Sequence, residues 1–313
     1  MAMSPNPRNP LLIHTNGIGD SILAVPAVRA LEMAYSGRLS ILTRHSHVIR
    51  ELHDDGSFRS ITEMPDFGRS KTETRDLASI LEKHDMFISL DHYVAPEHQT
   101  ICRLRNGSYS IGLFPTYGHC VNRSINKHSV DEYFDIVTAL FPDESICSYV
   151  HVPRVRSESV AIALGLVGER AVGHILAVHS ETGSNKRWTG SGFREVTRHF
   201  LSRVPASLVW VLDFHGLDHW WDGLDSDRVI FVPRLRFDVR MAMMSLANVF
   251  VGIDSSMLHL ADLFRVPSIA LFTKTDSRRW GLRFAQGTTI QTANVPETQS
   301  IDAISEAIER CVK

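Results

Sequence analysis

The sequence predicts an α/β protein of two doubly wound, Rossmann-like units, and three observations lead there. Short apolar runs of β type alternate with helix-like stretches along the whole chain, the pattern of parallel sheets covered by helices. Several of those runs are apolar at both odd and even positions, as strands buried on both faces require. The alternation stops once, over residues 142–160 (PDESICSYVHVPRVRSESV), where prolines and polar residues interrupt it. A chain of 313 residues has room for two domains of about 100–200 residues each. The boundary is therefore set within that break, dividing 1–155 from 156–313.

In the first half, strands are expected at 11–15 (LLIHT), 39–43, 59–64, 86–91 and 109–114, with helices at 21–35, 70–84 and 130–141. In the second half, strands are expected at 173–180, 207–213, 228–232, 248–252 and 267–272. Helices there fall at 191–203, 238–247, 256–264 and 300–312. Two such units facing each other across a cleft would bind ligands at the C-terminal ends of their strands.

Composition removes other classes. Hydrophobic residues at 43% and charged residues at 22% exclude a disordered, fibrous or disulfide-scaffold protein. Lys and Arg number 33 against 35 Asp and Glu, a net charge of −2, so no basic field argues for nucleic acid. No apolar run approaches a membrane span, and MAMSPNPRNP carries no signal core, so a cytoplasmic protein is expected. Cys102, Cys120, Cys147 and Cys311 lie far apart without a C-x-x-C pair, and the histidines are scattered. Idle thiols and no bound metal are the expectation. P-loop, G-x-S-x-G, H-E-x-x-H and EF-hand patterns are all missing from the sequence.

Three loops at strand ends carry the chemistry. The first, NGIGDS (16–21), offers Gly17 and Gly19 for a tight turn. Ile22 stands where a dinucleotide fingerprint has its third glycine, and 38–44 (RLSILTR) lacks the acidic ribose ligand, which disfavours a nicotinamide site. Asp20 is open to two readings: cap of a helix beginning at Ser21, or catalytic base at a strand end. The second loop, SETGSNKRWTG (180–190), brings Thr182, Ser184 and Lys186 together with backbone N–H groups, a phosphate-binding composition. It reads equally as a solvated loop anchored by Trp188. The third, VGIDSSMLHLADLF (251–264), leads from a strand through Asp254, Ser255 and Ser256 into a helix with Met257 and His259 in its first turns. That helix N-terminus suits an anion, while Asp254 is also readable as a cap and His259 as core. Residues 99–130 hold Arg103, Arg105, Arg123 and Lys127 without an Asp or Glu, and read as loop and short strand. They are either a solvated basic face or a holder for an anionic acceptor. The Trp220–Trp221 pair stacks on a base or sits in the core; nothing in the sequence decides which.

Together the loops resemble a known family. GIGDSILAVPAVRAL (17–31), NKRWTGSGFREVTRHF (185–200) and VGIDSSMLHLADLFRVPSIALF (251–272) with TDSRRWG (275–281) are similar, in order and spacing, to segments of the heptosyltransferases, glycosyltransferase family nine. The resemblance implies a GT-B fold, with acceptor on the N-terminal side and nucleotide-sugar on the C-terminal side. It implies a metal-independent inverting transfer, ADP-heptose being the usual donor and the lipopolysaccharide inner core an acceptor. By the same resemblance Asp20 is the base and Lys186 the phosphate ligand. Asp254 touches the donor, Ser255, Ser256 and Met257 present N–H groups to the diphosphate, and His259 matches a family histidine. The chain departs from the pattern at Ser256, where the family has Gly, and at Phe-Thr-Lys-Thr (272–275) in place of Phe-Gly-Pro-Thr. It departs again at DFHGLDHWW, which replaces a glycine-rich turn with a following glutamate. Rival readings are a transferase of another nucleotide-sugar onto a small natural product, an inactive nucleotide-binding module and, last, an oxidoreductase. No nucleic-acid partner and at most peripheral membrane contact are expected.

Overall fold

The computed structural model describes residues 7–54, 56–64, 71–92, 96–104, 108–168, 170, 173–182, 186–213, 221–225, 227–231 and 235–312. The chain divides into two compact units, Met1–His151 and Val152–Lys313. Arg105, Ser184, Asp218 and Trp220 fall outside the described residues.

The first unit runs β1 (Pro10–His14), α1 (Ile18–Leu23), α2 (Val25–Tyr35), β2 (Ser40–Thr43), α3 (Ser46–Leu52), β3 (Ser60–Glu63), α4 (Lys71–Leu81), β4 (Met86–Ser89), α5 (Pro96–Leu104), β5 (Tyr109–Gly112), β6 (His119–Cys120) and α6 (Ser129–Leu140). The second runs α7 (Ser157–Val167), β7 (His174–His179), α8 (Gly190–Arg203), β8 (Ser207–Val211), β9 (Val229–Phe231), α9 (Phe237–Leu246), β10 (Val249–Ile253), α10 (Ser256–Leu263), β11 (Ser268–Phe272), α11 (Ser277–Trp280), β12 (Gly287–Gln291) and α12 (Glu297–Cys311).

Each unit is built on a six-stranded parallel sheet, ordered β3-β2-β1-β4-β5-β6 and β12-β11-β10-β7-β8-β9. Both are the doubly wound order, in which the chain leaves the first strand one way and returns on its other side. The central strands β1, β4, β7, β10 and β11 are apolar, and buried over nearly their whole length. The edge strands β3 (SITE) and β12 (GTTIQ) are polar and largely exposed, which discourages further strand addition.

The expected strands are present, and the differences have local causes. Helix α1 begins at Ile18 rather than Ser21, and the expected single helix breaks at Ala24. Pro26, which has no N–H to donate, sits in the first turn of α2 where none is needed. Gly17, in ordinary extended conformation (φ −69°), takes the N-cap position of α1, where the loop turns into the helix. Helix α7 begins within the stretch expected to lack a long element. Helix α5 occupies part of the basic stretch expected to be loop and short strand. Strands β6 and β12 were not expected, being too short or too polar to show periodicity.

Candidate active site

In the first unit β1 lies between β2 and β4, so its C-terminal loop emerges where the winding reverses. Asp91, just beyond β4, ties that loop down: it accepts from the Thr15 N–H at 2.7 Å and the Thr15 hydroxyl at 3.0 Å. A matching clamp stands in the second unit after β7. Asp213 accepts from the Ser180 N–H at 2.7 Å and its hydroxyl at 2.5 Å, with His179 Nδ1 3.1 Å away. Burial raises the Asp213 carboxyl, but the bonds from His179 and Ser180 outweigh it and hold the group below its ordinary value.

Asp20 is the third residue of α1, not its cap. Gly17 takes the N-cap position, and Asp20 Oδ2 reaches back to accept the Gly17 N–H at 3.2 Å. Its Oδ1 accepts from the Tyr133 hydroxyl of α6 at 2.9 Å. Burial lifts the Asp20 carboxyl above its ordinary value, with Asp91 adding to the rise. His14, Tyr133 and the Gly17 amide pull the other way without cancelling it. A helix N-terminus alone would make this a weak base; desolvation makes it a stronger one. His14 ends β1 fully buried, with neither ring nitrogen hydrogen-bonded among the described residues. Burial holds its imidazole below the ordinary value, opposed by Asp91 and Asp20.

The basic stretch is divided by the fold. Arg103 is exposed in the last turn of α5. Arg123 bonds Glu132 of α6 at 3.0 Å and the His92 carbonyl at 3.1 Å. Lys127 bonds both oxygens of Asp135 at 2.7 Å. The carboxylates missing from 99–130 are thus supplied by the next helix, a pairing invisible within the segment itself.

In the second unit β7 and β10 flank the corresponding reversal. Asp254, following β10, is buried, and its Oδ2 accepts from Lys186 Nζ at 2.7 Å and Thr275 Oγ1 at 2.6 Å. His259 Nε2 lies 3.7 Å from Oδ1. Thr182 donates its hydroxyl to the Asp254 carbonyl at 3.1 Å. Asp254 is therefore not a cap. Ser255 holds that position on α10, yet its buried hydroxyl caps nothing and has no partner among the described residues. Ser256 and Met257 open the helix behind it, with no cap hydrogen bond from the Ser255 side chain among the described residues. Trp188 anchors the Lys186 loop edge-on against Phe193, at 5.1 Å between ring centres. Trp221 belongs to the same core. Sequence reasoning missed His14, Tyr133 and Thr275; a polar residue ending an apolar strand was the one visible signal, at His14.

Among the described residues no group of three or more His, Cys, Asp or Glu is arranged to hold a metal ion. Nor is any described helix long and apolar enough to cross a membrane.

Comparison with known proteins gives this fold its relatives. The profile of glycosyltransferase family 9 (heptosyltransferase) matches residues 116–307. Among solved structures, a family 9 glycosyl transferase from Veillonella parvula is similar with a TM-score of 0.77 at 14% identity, over 98% of this chain and 99% of that one. Escherichia coli heptosyltransferase WaaC with ADP gives 0.72 at 14%, over 97% and 99%. ADP-heptose lps heptosyltransferase II of E. coli gives 0.73 at 10%, over 97% and 98%. No curated protein sequence matches the chain.

Proposed function

The chain belongs to glycosyltransferase family 9, and from that premise we propose that it transfers heptose from ADP-heptose, with inversion, to a hydroxyl of an anionic acceptor such as the lipopolysaccharide inner core. The acceptor oxygen attacks the anomeric carbon opposite the diphosphate while the bond to the leaving phosphate breaks. Asp20 takes the acceptor's proton. The charge left on the diphosphate falls to Lys186 and the open N–H groups at Ser255, Ser256 and Met257, so the reading gives no task to a metal. Asp254 orients Lys186 and Thr275 around the donor, and His259 backs Asp254. The heptosyltransferase neighbour solved with ADP supports the choice of nucleotide. Arg103, with Arg105 beyond the described residues, is the remaining candidate for the acceptor's negative charge, and the reaction belongs to the cytoplasm.

The observation that carries this reading is Asp20: a carboxylate at a winding reversal, made more basic by burial and held by two donors. Its test is Asp20→Asn, which should lower turnover at least about a hundredfold, the low end for loss of a general base, with ADP binding intact. Near-normal turnover would leave Asp20 with a structural role alone.

A further inference from the structure

We propose that Tyr133 is a positioning residue of the transfer reaction: its hydroxyl orients the Asp20 carboxylate toward the acceptor, and its ring is packed against His92, which lies on the buried Glu132 paired with Arg123. The inference rests on Asp20 being the base. Of the two bonds that hold Asp20, the one to Gly17 is local and long at 3.2 Å, whereas that from Tyr133 is 2.9 Å and spans 113 positions of sequence. The tertiary bond therefore sets the carboxylate's rotation. Each carboxylate oxygen has two lone-pair sites, so one on each stays open to an acceptor hydroxyl.

Tyr133 itself is fixed on two sides. His92 stacks on its face, 3.9 Å between ring centres and 7° from parallel. His14 meets it edge-on at 6.0 Å and 82°. His92 in turn lies on Glu132, its Nε2 3.2 Å from Oε2, a close contact rather than a hydrogen bond. Glu132 is fully buried and takes the Arg123 Nε–H on its other oxygen, while the same guanidinium donates to the His92 carbonyl. A buried carboxylate is costly unless it is paired, and the guanidinium that pairs Glu132 also bonds the backbone of His92, the residue stacked on Tyr133. Burial keeps the Tyr133 phenol protonated, so its hydroxyl is a lasting donor. Arg123, expected from sequence to hold the acceptor, thus supports the base from behind.

The experiment compares Tyr133→Phe, Asp20→Asn and the double variant in ADP release from ADP-heptose, with heptose-free lipopolysaccharide core as acceptor. Tyr133→Phe should lower kcat about tenfold to a hundredfold, the range for a hydrogen bond to a charged group, with both KM values essentially unchanged. Added to Asp20→Asn it should change the residual rate by less than about twofold, because it acts through Asp20. Carboxyl-carbon NMR of the free protein should show Asp20 titrating at higher pH in Tyr133→Phe, since the lost bond favoured the ionised form. Full kcat, an additive double variant or an unmoved Asp20 titration overturns the proposal. Should Tyr133→Phe fold poorly, Glu132→Gln must still lower kcat alone; an unaltered kcat there overturns it equally. Near-normal turnover in Asp20→Asn would instead remove the base itself, whatever Tyr133 does.

Discussion

Lys186→Ala tests the donor side. The Lys186 ammonium has three N–H donors, and Asp254 takes one of them at 2.7 Å. On the proposed reading the other two, with no partner among the described residues, serve phosphate oxygens. A hydrogen bond to a charged group contributes about 1.5–3 kcal/mol, or about tenfold to 150-fold in affinity. The Lys186 side chain is 33% exposed, so solvent screening places the expected loss toward the lower end of that range. A second effect adds to it. Without Lys186 the buried Asp254 keeps Thr275 and His259 but loses its compensating cation, and its charge then repels the diphosphate. Calorimetry with ADP and with adenosine separates these contributions from base binding: ADP should weaken at least about tenfold and adenosine hardly at all. Adding Asp254→Asn should restore part of the lost ADP affinity by removing the repulsion. Raising ionic strength should weaken ADP binding more in the parent than in Lys186→Ala. Equal losses for ADP and adenosine would mean that Lys186 does not touch phosphate, and the donor geometry proposed above would fall.

Three further outcomes are expected. Because burial raises the folded-state pKa of Asp20, the native protein binds more protons than the unfolded chain between the ordinary and raised values, so this residue's contribution to stability falls as pH rises through that window. Asp20→Asn should therefore melt no lower than the parent at neutral pH, with the difference shrinking in acid; a lower neutral melting temperature contradicts the burial argument. Reversing Arg103 together with Arg105 to Glu should raise the acceptor KM and leave the donor's alone, and a shift in the donor constant would place these residues elsewhere. Gly252→Ala in β10 would set a Cβ 2.4 Å from the Phe250 ring and 3.0 Å from the His179 carbonyl. Denaturant titration should show a loss of about 1–3 kcal/mol, and an unchanged midpoint would mean that the strands there can spread.

Local pattern was enough for the doubly wound sheets, because buried parallel strands must be apolar on both faces and the helices between them must carry one apolar stripe. LLIHT, HILAVH and VFVGI declare themselves that way, and so do the loops that follow them, since a polar, glycine-bearing segment after a buried strand has to surface at the ligand edge. The elements that escaped, among them β6, β12 (GTTIQ), α3, α5 (PEHQTICRL) and the start of α7, are short or lie in polar, proline-bearing stretches that read as loop. The sequence by itself therefore settled the fold and nominated Asp20, Lys186 and Asp254 as residue types in suitable loops. Their physical states were decided by contacts between distant segments. Asp20 becomes more basic because the unit closes over it, and its partner Tyr133 lies a hundred and more positions away, across the sheet's connections. Arg123 and Lys127 look like free cations in their own stretch, yet Glu132 and Asp135 of α6 occupy them. Charge and hydrogen bonding depend on distance in space and on exclusion of water, and neither quantity exists until the chain has folded.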